Sequence, residues 1–423
     1  MELKNHAEEI FRAGLARVNS RVLLELVLTL ENNVLIINTD TEKYSIDLSQ
    51  YKKIKLIGFG KAAAQMAAGL CAVLENIISE GVLIVKDATK AVLPEGVEIY
   101  TGSHPVPGAN SIKAGKRLIE FCSGCAEDEL VIGVISGGAS ALVEVPAGNL
   151  TLEDIMDTTK ILLASGATIQ EMNCLRKHLS QIKGGQLSEK IFPATSLNFI
   201  LSDVIGDDLS IIGSGPTVVD TSTCEDAFHV IKKYNLDEKL NRAIIETPKE
   251  LKNSKNILVG TNRQALIAAG KKAQSLGYET IILSEEIQGE AREAAAIFFD
   301  LSKKSVTKPT CILGGGETTV TIHGNGIGGR NQEMALAYLC KLQNDTNQMF
   351  LSASTDGGDG PTDAAGAFAS VDILKSASTK GLDPLEFLEK NDSYHFFSQA
   401  GGHLKTGSTE TNVCDLQILL LLP

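Results

Sequence analysis

Two basic residues stand behind glycine-rich segments suited to anions. Lys61 follows Gly58-Phe59-Gly60. Arg330 follows Gly314-Gly315-Gly316-Glu317 and then Gly324-Asn325-Gly326-Ile327-Gly328-Gly329. Glycine lets backbone N–H groups approach an anion closely, and a helix N-terminus adds a partial positive charge. A lysine there neutralises a phosphate or carboxylate as a point charge; the planar fork of an arginine grips either one through two parallel bonds. A third segment, Ser136-Gly137-Gly138-Ala139-Ser140, offers hydroxyls and amides for a phosphate. Acids cluster in both halves: Asp203, Asp207 and Asp208 in the first, and Asp356, Asp359 and Asp363 in the second. Asp203 and Asp207 bring hard oxygens of the kind that hold Mg²⁺ carried on a nucleotide. His403 lies between glycines in Gly401-Gly402-His403-Leu404-Lys405, and Asn173, Arg176 and Lys177 form a polar cluster in a helical stretch.

Phosphoryl transfer needs this kit: positioning, charge neutralisation, Mg²⁺ and a group to take the attacking hydroxyl's proton. Hydride transfer is the rival. Gly58 to Ala63 matches G-x-G-x-x-A after a strand and before a helix, and Asp87 lies near the end of the next strand, where a dinucleotide site needs an acid. That reading leaves the acid clusters unexplained. The same segment fails as a P-loop, because Ala62 follows Lys61 and Lys55 stands where the first glycine belongs. A non-catalytic sensor for a nucleotide or sugar acid is a third reading. Each glycine loop, taken singly, also fits a tight turn, and residues 202–208 fit an Asx-rich turn.

The elements around these loops alternate. Strand patterns at 55–57, 82–85, 97–100, 130–135 and 197–201 alternate with helical patterns at 61–74, 110–124, 151–165 and 167–182. The pattern restarts with strands at 256–259, 280–283, 310–313 and 349–352, and an apolar run from Leu416 fits a final buried strand. Such alternation predicts an α/β fold of parallel sheets with crossover helices, and the glycine loops then fall at strand C-termini, where open sheets bind ligands. We expect two three-layer domains: a Rossmann-like parallel sheet in residues 1–250 and a mostly parallel or mixed sheet in 251–423, with the charged stretch 224–253 connecting them.

Composition narrows the partners. With 39 Lys and Arg against 52 Asp and Glu, the 423-residue chain carries a net charge of −13, a poor match for nucleic acid. No stretch is long and apolar enough to span a membrane, and the N-terminus does not read as a signal peptide. The cytoplasm is the default compartment, small molecules are the expected partners, and a homodimer is compatible with the composition. Cys122-Ser-Gly-Cys125 is a lone C-x-x-C that reads better as a helix end than as a redox or metal site.

The ordered motifs make the chain similar to a known family. Beyond the loops above they include His104-Pro105-Val106-Pro107, Asn173-Cys174-Leu175-Arg176-Lys177-His178-Leu179-Ser180, Lys183-Gly184-Gly185, Ser214-Gly215-Pro216-Thr217, Asp356-Gly357-Gly358-Asp359-Gly360 and Lys405-Thr406-Gly407. The sequence resembles the type II glycerate kinases, whose C-terminal half is named for a multi-organism fragment rich in leucine. The resemblance implies an ATP- and Mg²⁺-dependent phosphotransferase acting on an alcohol group of D-glycerate, with 2-phosphoglycerate the usual product and the active site in an interdomain cleft. It implies active-site roles for Lys61 and Arg330. On this reading the two cations grip the carboxylate and the transferred phosphoryl. The amides of Gly60, Ser136 to Ala139 and Gly314 to Gly316, beside Glu317, cradle phosphates. Asp203 and Asp207 hold Mg²⁺. Asp356 or Asp359 accepts the proton with His403 behind, and Asn173 and Arg176 face the substrate. Ser408, where the family commonly has proline, and Cys414, where a polar residue is frequent, touch none of these groups. An NAD(P)H-dependent hydroxypyruvate reductase remains the rival enzyme.

Overall fold

The computed structural model describes residues 2–89, 91–343 and 347–423. The chain forms two compact units, Ser20–Val259 and a second made of Met1–Asn19 with Gly260–Pro423.

The continuous unit is built on a six-stranded sheet in the order Val97–Thr101, Ile78–Val85, Lys53–Phe59, Glu129–Ile135, Thr195–Leu201, Ser254–Gly260. The four pairings that join the first five strands are parallel. Every residue of Glu129–Ile135 is buried, as is every residue of Lys53–Phe59 after the first, which is the pattern of central parallel strands covered on both faces. A three-stranded antiparallel meander precedes them (Leu28–Glu31, Val34–Asn38, Lys43–Asp47). Its first hairpin turns through Asn32 and Asn33, with φ of 50° and 64°, the left-handed pair that a type I′ turn requires.

The second unit carries a mixed six-stranded sheet in the order Glu279–Ile287, Thr310–Gly316, Asp415–Leu421, Gln348–Ser354, Gly366–Ser370, His403–Leu404. Only the first pair is parallel; the other pairings are antiparallel. The expected last strand is thus a central one, wholly buried between two neighbours.

The units divide the chain differently from the expected 1–250 and 251–423. Strand Ser254–Gly260 adds to the edge of the first sheet. Helix Glu2–Arg17 packs in the second unit: Gly14 lies so close to helix Asn262–Ser275 that a Cβ there would meet the Ala265 carbonyl at 2.9 Å, and Lys272 pairs with Glu9 at 2.7 Å. All eight cysteines are free, and Cys122 ends helix Ala109–Cys122 in the core, as a helix-end reading of the C-x-x-C requires. Among the described residues no helix is long and apolar enough to cross a membrane.

Candidate active site

The first sheet reverses its winding between Lys53–Phe59 and Glu129–Ile135: strands that follow the former in sequence lie on one side, and those after the latter on the other. Loops leaving two such strands diverge and open a crevice at their C-terminal ends. Here the two loops are Gly60-Lys61 and Ser136–Ala139, and the next strand, Thr195–Leu201, delivers Ser202-Asp203 beside them.

These loops interlock through positions where only glycine fits. Gly60 has φ +130°, and a Cβ on it would meet Ser136 Oγ at 2.2 Å. A Cβ on Gly137 would stand 1.6 Å from a carboxylate oxygen of Asp203, and one on Gly138 3.1 Å from both His104 Cδ2 and Lys61 Cγ. Lys61, His104, Asp203 and the glycine pair therefore share one small volume. Ser136 Oγ accepts a hydrogen bond from Ala62 N at 3.0 Å, capping helix Ala63–Leu74 from another strand. Gly60 N donates to the Ile84 carbonyl (3.3 Å), Lys61 N to Gly137 (2.9 Å) and Ser136 N to Phe59 (3.2 Å). The amides of Gly60 and Ser136, expected in a phosphate cradle, are thus spent on the fold. Those of Gly137, Gly138 and Ala139 have no hydrogen-bond partner among the described residues. The Lys61 side chain is exposed and makes no ion pair or hydrogen bond among the described residues. Burial raises the Asp203 carboxyl above the usual range, with Lys61 opposing it. Burial, and then Lys61 and Lys86, lower the pKa of His104, so its ring is neutral near pH 7. Asp207 sits in the following turn with φ +54°, half-buried.

The second unit uses the same residue types otherwise. Gly314, Gly315 and Gly316 are not a loop. They complete strand Thr310–Gly316, and Gly314 and Gly316 are paired on both sides. A Cβ on Gly315 would stand 1.8 Å from Asn262 Oδ1, so these glycines admit neighbouring side chains and backbone rather than a phosphate. Arg330 opens helix Arg330–Leu339, but its fork is occupied: Nε and Nη2 donate to the fully buried Asp415 at 2.6 and 2.9 Å, and Nη1 pairs with Glu317 at 2.8 Å. Burial works against its charge, and Asp415 overrides burial to hold its pKa above the usual value.

Asp359 caps the same helix. One carboxylate oxygen accepts from Asn331 N (3.1 Å) and Nδ2 (3.3 Å), the other from Gln332 N and Nε2 (both 2.9 Å). Burial still pushes its pKa up to about 6. With four N–H donors on it, Asp359 caps the helix. Asp356, just past strand Gln348–Ser354, accepts from Ser354 Oγ (2.8 Å) and Gly358 N (2.9 Å) on one oxygen only. His403 bonds Gln332 Oε1 at 3.1 Å, stacks on Tyr394 and is lowered to about 4, chiefly by burial, so it stays neutral.

The polar cluster on helix Ile169–His178 separates. Lys177 is buried against Asp220 at 3.0 Å, a structural pair. Arg176 lines a small pocket with Glu144, Ile155, Leu162, Leu175 and Leu179; burial lowers its pKa and Glu144 opposes that. Asn173 is buried on the same helix.

Two residues absent from the expected set join these clusters, His104 beside Gly138 and Lys61, and Asp415 on the Arg330 fork. An aspartate opening the largely apolar Asp415–Leu421 strand is the signal that would have found the second.

Comparison with known proteins fits this architecture. Residues 6–249 match the domain of unknown function DUF4147, and residues 310–415 match the MOFRL family. D-glycerate 2-kinase of Thermotoga maritima is 41% identical over 379 residues, covering 88% of this chain and 91% of that protein. A protein of Agrobacterium vitis, provisionally named hydroxypyruvate reductase, is 40% identical over 380 residues, 86% of each chain. The crystal structure of glycerate kinase from Thermotoga maritima superposes with a TM-score of 0.90 at 38% identity, over 100% of both chains. On sequence, fold and motif order alike, the chain belongs to the glycerate kinase family.

Proposed function

We propose that the protein transfers a phosphoryl group from ATP to D-glycerate, at the C2 hydroxyl, giving 2-phosphoglycerate and ADP. The observation that carries the reading is the switch-point crevice of the first unit. A lysine whose side chain makes no hydrogen bond or ion pair among the described residues stands there, with amides that have no partner among those residues and a carboxylate whose charge burial disfavours. Lys61 neutralises phosphate charge, and the amides of Gly137, Gly138 and Ala139 orient phosphate oxygens. Asp203 fits an oxygen ligand for Mg²⁺ and Asp207 is the second candidate. Among the described residues neither belongs to a cluster of three possible ligands, which suits an ion held mainly by nucleotide and water. When bound, that ion offsets phosphate charge. Within the second unit, Asp356 keeps one carboxylate oxygen without a hydrogen-bond partner among the described residues and is the better candidate there to accept a proton.

The Agrobacterium relative supports a second reading, reduction of hydroxypyruvate by NAD(P)H. Against it, the amides at the start of helix Ala63–Leu74 that a pyrophosphate would need are already bonded to Ser136 and Gly137, and the Asp87 side chain is 82% exposed. The test supplies D-glycerate with Mg-ATP and follows ADP, with enolase coupling to detect 2-phosphoglycerate. A parallel assay supplies hydroxypyruvate with NAD(P)H. ADP release coupled through enolase is the expected result; loss of NAD(P)H absorbance without ADP release overturns the reading.

A further inference from the structure

Three residues that phosphoryl transfer does not use bring one nitrogen, one sulfur and one oxygen together. His178 ends helix Ile169–His178, Cys224 begins helix Cys224–Lys233, and Glu246 follows helix Lys239–Ala243. Their ligand atoms all lie within 4.8 Å of one another. The His178 ring is fully buried. Its Nδ1 lies 2.9 Å from the Cys174 carbonyl oxygen, which can only accept, so Nδ1 carries a proton and a neutral ring turns its lone pair out at Nε2. That Nε2 has no hydrogen-bond partner among the described residues, and Glu246 Oε1 stands 3.4 Å from it. A buried lone pair facing a carboxylate is repulsive, and a cation between them relieves it. A histidine whose other nitrogen donates to a backbone carbonyl is also the usual arrangement of a metal ligand.

One edge of the cluster already has the length a tetrahedral ion requires, and the other ligand atoms lie within 4.8 Å. Bonds of about 2.0–2.3 Å to nitrogen, oxygen and sulfur put neighbouring ligand atoms roughly 3.3–3.7 Å apart. The 3.4 Å between Nε2 and Oε1 is already such an edge. The Glu246 carboxylate is oriented by Cys224 N at 3.1 Å and Thr247 N at 3.0 Å, and Lys249 pairs with it at 2.9 Å. Cys174 and Asp226 also face the cluster electrostatically. Burial, and then Glu246, hold the Cys224 thiol protonated near neutral pH, and a bound ion displaces that proton.

We propose that His178, Cys224 and Glu246 form a site for a divalent transition metal of borderline softness, Zn²⁺ foremost, with water as the fourth ligand. Mg²⁺, which prefers six oxygens, does not suit a thiolate–imidazole set, so this site is chemically separate from the ion carried on the nucleotide. The bound ion would clip the ends of three helical segments together.

The test strips the full-length protein with a chelator and titrates it with Co²⁺ as a spectroscopic stand-in for Zn²⁺. We expect one Co²⁺ per chain, tetrahedral d–d bands and a thiolate-to-cobalt charge-transfer band, all displaced by Zn²⁺ and unmoved by excess Mg²⁺. Cys224→Ser removes the charge-transfer band, and Glu246→Gln weakens binding by roughly tenfold or more; circular dichroism checks that both variants are folded. A wild type without the band overturns the proposal in favour of a direct, metal-free contact between His178 and Glu246. A band of full strength in Cys224→Ser overturns it in favour of another cysteine.

Discussion

Lys61 and Arg330 occupy the same position in sequence terms, a cation at a helix start behind glycines, yet they are built to opposite ends. Around Lys61 the strand ends at Phe59, Gly60 lies beyond it, and the ammonium is left without a hydrogen-bond or ion-pair partner among the described residues. Around Arg330 the strand runs on through Gly316, Gly314 to Gly316 are packed inside the sheet, and the guanidinium is tied to Asp415 and Glu317. A glycine run therefore makes an anion site only where its amides remain unspent, and a cation is available to substrate only where no buried carboxylate already holds it.

The most sensitive way to break that contrast is Arg330→Ala. It leaves Asp415, completely buried, as an unpaired charge, and should lower the unfolding free energy by about 3–5 kcal/mol in denaturant titration. Full stability with lost activity would instead make Arg330 a substrate ligand and erase the difference from Lys61. Lys61→Ala should do the reverse. Loss of a preorganised donor at the transferring phosphoryl predicts a fall in kcat/KM of roughly 100- to 1,000-fold, with Tm unchanged because the side chain is exposed.

A matched pair of glycine substitutions sharpens the comparison. Gly137→Ala drives a methyl into Asp203, and Gly315→Ala drives one into Asn262, whose amide bonds the carbonyls of Val413 and Asp415. Each should cost about 1–3 kcal/mol of stability. At a temperature where both variants are folded, only Gly137→Ala should also abolish most ADP release. The smallest effect concerns Asp359. Its carboxyl, raised to about 6 in the fold from an ordinary value near 3.8, favours the protonated native state. Its contribution is fully present below pH ~4 and is lost as pH rises through about 6. The stability difference between wild type and Asp359→Asn should therefore slope against the wild type across that window, by on the order of 2 kcal/mol. A flat difference would show that the four N–H donors fully offset burial.

Alternation of apolar runs and glycine-terminated strands is a local signal, so the α/β fold and the positions of Gly60, Ser136 and Asp203 at strand ends could be read from the sequence. The Leu28–Asp47 meander could not, since its strands are four or five residues long and only partly buried. The pairing of Arg330 with Asp415 joins residues 85 apart in the chain and depends on an antiparallel strand order that spacing does not encode. The capping bonds of Asp359 are hidden for a related reason: a carboxylate between glycines looks the same in sequence whether it faces solvent or the first turn of a helix. The hydroxypyruvate reductase reading rested on Gly58 to Ala63, where the fingerprint is present but Ser136 occupies the helix start.

Helix Glu2–Arg17 completes a unit whose remaining elements begin only at Gly260. During synthesis at ~5–20 residues per second it waits on the order of ten seconds or more for the surface that covers Ala7, Ile10 and Phe11, while the uninterrupted Ser20–Val259 segment can fold first. Birth order along the ribosome and assembly order in the second unit are therefore opposite, and a nascent chain stalled shortly after Gly260 would carry this helix with its apolar face uncovered.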